Sequence, residues 1–246
     1  MLELKPGNPP PAAPPQSAAE RLAEGRRQLR LFDVEGYQEA VPLFREALEA
    51  DPSCAAAHAG LAETYAYWGF RREITGFASQ LLYNMAAECA AAALKLGPDL
   101  GEAHRAMAVA LRRGTQRDPE RRQREAEAAV MLDATQPESW QELWHAGGYE
   151  LEAPALRRAL ALEPRLCSLH IDLGAVYCER QRYPDSLREL TAALQLNPRN
   201  SLAHYDAAMV LDRMGERLKA QELLRKALRL HPDEPLIEDG LELLGR

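Results

Sequence analysis

Cysteine is scarce: the 246 residues hold 4, at Cys54, Cys89, Cys167 and Cys178, each in an apolar helical context. So few thiols exclude a disulfide scaffold and suit a reducing compartment. No CxxC pair occurs, which excludes a zinc ribbon. No run of about 18 apolar residues is present, so no segment is expected to span a membrane. Positive charge is in deficit, with 30 Lys+Arg against 37 Asp+Glu and a net charge of −7. Such a chain is not an electrostatic glove for nucleic acid. There is no GxSxG, P-loop, GxGxxG or HExxH, so no catalytic site, cofactor site or metal site is expected. The opening Met1-Leu2-Glu3-Leu4-Lys5-Pro6 has no apolar core of signal-peptide length, so no export address is visible and a cytoplasmic location is expected. What remains is a chain that is 46% hydrophobic, enough for a substantial core in one or two domains or one continuous array.

Residues 1–16, MLELKPGNPPPAAPPQ, differ from the rest. Proline fixes φ and lacks an amide donor, so this stretch favours solvated polyproline II and reads as a linker or tail. A ligand for an SH3- or WW-like groove is the functional alternative. Ser17-Ala18-Ala19-Glu20 is a capping box and starts the ordered array.

A repeat governs 17–234. The pattern Ala-Leu-x-x-x-Pro recurs at Ala47…Pro52, Ala93…Pro98, Ala159…Pro164, Ala193…Pro198 and Ala227…Pro232, with a weaker copy at Ala129 that ends on Ala134. A His or Trp follows each anchor alanine by a nearly constant distance: His58, His104, Trp140, His170 and His204. Small, apolar or aromatic residues stand three, four and seven places later, for example Leu173, Gly174 and Tyr177 after His170. That spacing puts all four on one helical face. Each unit therefore begins with an amphipathic helix, turns, and runs a second helix to the Ala…Pro ending. Gly69, Asp118-Pro119, Tyr183-Pro184 and Gly215 mark the turns.

The array resembles tetratricopeptide repeats. The best match is 167–200, where His170, Leu173, Gly174, Tyr177, Tyr183, Ala193 and Pro198 sit in that family's register. Residues 201–234 match through His204, Gly215, Ala220, Ala227 and Pro232, and the first unit through Tyr37, Ala40, Phe44, Ala47 and Pro52. The second unit carries an insertion after Gly69, and the fourth is short. The resemblance implies an all-α, right-handed solenoid of about six helical hairpins. Residues 235–246 form a C-terminal capping helix with Ile237, Leu241 and Leu244 on its apolar stripe and Asp233 as its N-cap.

The His at the register positions lie roughly one repeat apart and read as packing, not as metal ligands. His145 lies on the opposite face of its helix from Trp140, Leu143 and Trp144 and stands apart from them. The charge feature is an arginine run, Arg105, Arg112, Arg113, Arg117, Arg121, Arg122 and Arg124. It reads either as a docking patch for an acidic segment or as a solvated outer face. The insertion FRREITGFASQL at 70–81 gathers aromatics with its flanks. It reads either as a longer second helix or as an exposed recognition element.

In the family that the array resembles, the stripe two places before, and one, five and eight after, each register residue lines the concave face. Here that stripe includes Arg105, Arg112, Gln141, His145, Ile171, Ala175, Leu202, Tyr205 and Met209, with Arg113 beside it. These ten are the expected partner-binding residues: Ile171, Tyr205 and Met209 as apolar anchors, Arg105, Arg112 and Arg113 for acids. The Lys/Asn clamp by which some relatives hold chaperone tails is absent, with Ala59, Glu63 and Ile171 in the corresponding places. The expected function is a non-enzymatic protein-protein interaction scaffold for a peptide or helix, with no nucleic acid and no membrane as partner. A regulatory module of a larger signalling or transcription protein, and a self-associating assembly factor, are the alternatives.

Overall fold

The computed structural model describes residues 17–114, 118–232 and 234–245, and these residues form thirteen α-helices and no strand. In chain order they are α1 (Ala18–Arg30), α2 (Val34–Ala50), α3 (Ala55–Ile74), α4 (Gln80–Leu96), α5 (Gly101–Arg113), α6 (Pro119–Leu132) and α7 (Pro137–Ala146). They continue with α8 (Pro154–Leu162), α9 (Cys167–Glu179), α10 (Tyr183–Leu196), α11 (Ser201–Arg213), α12 (Arg217–Leu230) and α13 (Pro235–Gly245). Consecutive pairs make six antiparallel hairpins, each packed on the next, and α13 lies against α11 and α12. The Pro-rich stretch 1–16, Arg117 and the expected N-cap Asp233 lie outside the described residues.

Local chemistry sets the helix starts. Ser17 and Glu20 form the expected capping box, and Asp118 accepts from the Arg121 amide at 2.8 Å in front of Pro119. Gly215 turns the chain with φ of 83°. Close packing between and inside the hairpins needs missing side chains: a Cβ on Gly60 would come within 2.4 Å of the Phe44 ring of the preceding hairpin, and one on Gly174 within 2.6 Å of Leu190 in its own. Ile237 and Leu244 of α13 are fully buried, with Leu241 packed beside them.

The His/Trp register has a sharper purpose than packing. His58, His104, His170 and His204 each set Nε2 against the carbonyl of the proline that closes the preceding unit. These are Pro52 at 3.2 Å, Pro98 at 2.8 Å, Pro164 at 2.9 Å and Pro198 at 3.0 Å. In the third unit Trp140 donates its indole N–H to Ala134 at 2.9 Å. Imidazole and indole exchange at this place because both carry a ring N–H that reaches a carbonyl left free at a helix end.

Two expectations need correction. Gly69 is not a turn: α3 runs through it to Ile74, and its missing Cβ admits the Tyr83 ring. The insertion therefore lengthens the first helix of its hairpin, not the second, and the turn falls at Thr75–Ser79 with Gly76 at φ of 74°.

The longer α3 helps close the solenoid on itself. The α1–α2 turn reaches across the inner face to the α10–α11 turn. Asn197 Nδ2 donates to Leu31 O at 3.0 Å and Asp33 Oδ2 at 2.6 Å, and Asn200 Nδ2 donates to Phe32 O at 2.8 Å. Glu35 binds Arg199 and His231, each at 3.1 Å. From the end of α3, buried Arg71 donates to Ser201 Oγ at 2.7 Å and lies 3.7 Å from Glu234. Leu29, Phe32 and Tyr37 then share one core with Ile171, Leu202 and Leu236. Phe32 itself sits at φ of 57°, a left-handed conformation costly for an aromatic residue and held by this contact. Asn197→Ala with Asn200→Ala removes the side-chain donors to the Leu31 and buried Phe32 carbonyls and to Asp33 Oδ2, and takes away the α11 cap. We expect a loss of about 2–4 kcal/mol in urea unfolding and a larger radius of gyration in solution scattering. Unchanged values would mean that the closure carries no energy.

Candidate functional site

The inner face is built from the odd-numbered helices, and its first layer is a buried ionic chain. Glu63 of α3 pairs with Arg105 of α5 at 2.8 Å. Arg26 pairs with Glu102, and Arg30 with Glu138 at 2.6 Å. Arg112 grips Glu142 of α7 with two bonds, Nε to Oε1 at 3.0 Å and Nη2 to Oε2 at 2.9 Å. His145 faces Glu142 Oε2 through Nδ1 at 3.1 Å and Asp172 Oδ2 through Nε2 at 2.7 Å. Gln141 donates to Asp172 at 2.6 Å and accepts from Ser168 at 2.9 Å. Burial alone would raise the carboxyls of Glu142 and Asp172. Arg112 overrides it for Glu142 and His145 for Asp172, leaving each at about 2.

Beyond this layer lies a chamber of about 460 Å³. Its walls are largely apolar: Phe32, Phe70, Ile171, Leu202, Tyr205 and Leu236. Arg113, Asp172, Glu179 and Asp206 bring charge to it. Asp206 has no carboxylate-stabilising hydrogen bond, so burial pushes its pKa up to about 7. Arg71 opposes that rise and Asp172 adds to it. The chamber shares Ala175, Glu179, Tyr205 and Asp206 with an outer cleft of about 430 Å³ that Cys178, Met209, Arg213 and Leu243 also line.

The ten expected binding residues divide between these layers. Arg105, Gln141 and His145 are buried and committed to internal partners, as is the side chain of Arg112. They were expected on an open groove, and the closure of the solenoid accounts for the difference. Ile171 and Leu202 are likewise buried, covered by the N-terminal hairpin, and reach only the chamber. Ala175, Tyr205 and Met209 stay accessible at the cleft. Arg113 alone of the expected arginines turns into the chamber.

The arginine run is not one patch. Arg121 and Arg124 pair with Glu125 and Glu120 on their own helix, and Arg122 caps α7 through the carbonyls of His145 and Ala146, both at 3.2 Å. Among the described residues no group of three or more His, Cys, Asp or Glu could hold a metal ion. Among them, too, no helix is long and apolar enough to cross a membrane.

The sequence reading missed Glu142, Asp172 and Asp206. They stand two places after Trp140, His170 and His204, one acid in the same register of three successive repeats. That recurrence is visible in the sequence and was the available signal.

No family model matches the chain. The uncharacterized protein y4yS of Sinorhizobium fredii (strain NBRC 101917 / NGR234) is 30% identical over 122 residues, which is 49% of this chain and 67% of that protein. Among solved structures, the human IFIT1 dimer with PPP-AAAA aligns with a TM-score of 0.69 at 20% identity, over 93% of this chain and 53% of that one. Cut9, from an APC/C hetero-tetramer with Hcn1, gives 0.63 at 18% identity, over 94% of this chain and 43% of that one. PilW, a type IV pilus biogenesis factor, gives 0.59 at 16% identity, over 93% and 98%. The chain spans about half the length of the first two, and at these identities the likeness is one of fold.

Proposed function

The chain is a tetratricopeptide-repeat protein, in one family with the Sinorhizobium fredii protein y4yS, and from that premise we propose a non-enzymatic scaffold that captures a segment of a partner protein in the outer cleft. The observation that carries this reading is an accessible wall of Ala175, Tyr205 and Met209, with half-exposed Leu243 opposite, on an inner face otherwise sealed by its own ion pairs. An apolar side chain of a partner is the natural occupant, with the segment held between α9, α11 and α13. A polynucleotide fits less well. The chain carries a net charge of −7, and Glu179, Asp206 and Asp212 line the cleft against a single arginine, Arg213.

Tyr205 also packs on Gly240, so its removal touches the core. Ala175→Arg, at an exposed helical position, fills the cleft without removing any packing. Immobilised wild type is expected to retain a discrete partner from native lysate. Both Tyr205→Ala/Met209→Ala and Ala175→Arg should weaken its capture by about tenfold or more. Equal capture by wild type and Ala175→Arg would remove the cleft from the interaction.

A further inference from the structure

Among the described residues, one half-buried cation on the chamber wall makes no ion pair. Arg113 ends α5 with its guanidinium 3.8 Å from the centre of the Phe70 ring. Its Nε is shut off from solvent with no acceptor. Burial, then the neighbouring Arg112, disfavours its charged form, and Asp172 favours it. Its neighbours do not pair with it: Glu142 is taken by Arg112 and His145, and Oδ2 of Asp172 by His145 and Gln141. Residues 115–117, which follow it, contain no acid. A desolvated guanidinium is costly unless an anion meets it, and its planar fork suits a carboxylate. Around it the chamber is apolar, with Phe32, Ile171, Leu202 and Leu236 in the wall.

The geometry points to the chamber as a binding site for a single carboxylate carried on an apolar body. The carboxylate lies against Arg113 and the body against Ile171, Leu202 and Leu236. This goes beyond the scaffold reading and stands without it. One unpaired guanidinium sets the charge at one, and a phosphate dianion would meet the acids Asp172, Glu179 and Asp206 with twice the charge of a carboxylate. Asp206, which lines the same chamber, supplies the second polar contact: burial raises its pKa to about 7, so below that pH its carboxyl can donate to the ligand's oxygen. The groups facing Asp206 are Arg71 from α3, Arg113 from α5, Asp172, Cys178 and Glu179 from α9, and Tyr205 beside it on α11. Leu236 faces it from α13, and Asp239 of that helix acts on Tyr205. The carboxylate has two sources, a free amphipathic acid or an acidic residue beside an apolar one in a polypeptide.

The full chain is titrated by calorimetry with 4-phenylbutyrate, with the neutral 4-phenylbutanol, and with a blocked tetrapeptide that pairs phenylalanine with glutamate. Saturable binding of the acid is expected, with the alcohol weaker by about tenfold or more. If the tetrapeptide binds more tightly than 4-phenylbutyrate, the polypeptide is the source; the reverse order assigns the free acid. Arg113→Met should abolish the preference for acid over alcohol and melt at a higher temperature than wild type, since a charge without a partner leaves while the stem stays on Phe70. Affinity for 4-phenylbutyrate should fall as pH rises through about 7, and Asp206→Asn should flatten that dependence. Equal binding of acid and alcohol to wild type, or no saturable binding of any probe, overturns the proposal without touching the outer cleft.

Discussion

Glu142→Ala is expected to lower the unfolding free energy by about 3–5 kcal/mol, the largest loss of any single ion-pair deletion in the molecule. The glutamate is 2% exposed and meets Arg112 through both oxygens and the His145 ring through one. Its removal leaves a buried guanidinium and a buried imidazole competing for what remains. Asp172 offers them only its Oδ1, since Gln141 and His145 occupy Oδ2. A hydrophobic double replacement of Glu142 and Arg112 should cost much less, since it removes both charges together. Urea unfolding of the single and double variants measures the difference. Equal losses would mean that the pair acts through packing and not through charge.

The same pair fixes the acid side of the pH profile. Glu142 and Asp172 sit at about 2 in the folded chain, below their ordinary values of 4.5 and 3.8. Their contribution is complete above those ordinary values. It is lost as pH falls toward about 2, where the folded state must take up protons that the unfolded state already holds.

The six hairpins and the capping stripe were legible because each rests on local, repeated chemistry. The Ala…Pro ending stops a helix, and a glycine such as Gly174 admits one large side chain from the facing helix. The closure was not legible. It depends on Asn197 and Asn200 meeting Leu31, Phe32 and Asp33 more than 160 residues earlier, and no periodicity within a repeat encodes a contact between repeats so far apart. Hence Ile171 and Leu202 read as an open stripe, although the curvature that brings the first hairpin over them buries both. The arginine run misled for a related reason. Seven like residues in the sequence suggest one surface, but α5 points its arginines inward while α6 spreads its own along the outside and onto the end of α7. Arg113 emerged as the exception only once the partners of Arg105 and Arg112 were known.

Asp206→Asn is expected to stabilise the chain at about pH 8 by 1–2 kcal/mol, an increase where most substitutions lose. The carboxyl titrates at about 7 when folded against an ordinary 3.8, because burial disfavours its charge by more than Arg71 relieves, and Asp172 adds to the cost. That gap sets a ceiling of about 4 kcal/mol, and the edge the side chain keeps in solvent screens part of it. Below pH 3.8 the group is protonated in both states and its cost is absent. As pH rises toward about 7 the unfolded chain ionises first, so stability falls until the folded carboxyl ionises too. Glu63, also raised by burial, acts in the same direction. Wild-type stability should therefore decline from about pH 5 to pH 8, and Asp206→Asn should remove most of that decline while matching wild type near pH 4. With Glu142 and Asp172 losing strength on the acid side, the optimum falls between about pH 4 and 6. A natural chain that keeps an aspartate where asparagine would be more stable keeps a proton-dependent group on the wall that Tyr205 and Ile171 share. Parallel stability profiles of the two proteins across that window would show that Asp206 is solvated, and would leave the chamber without its second polar group.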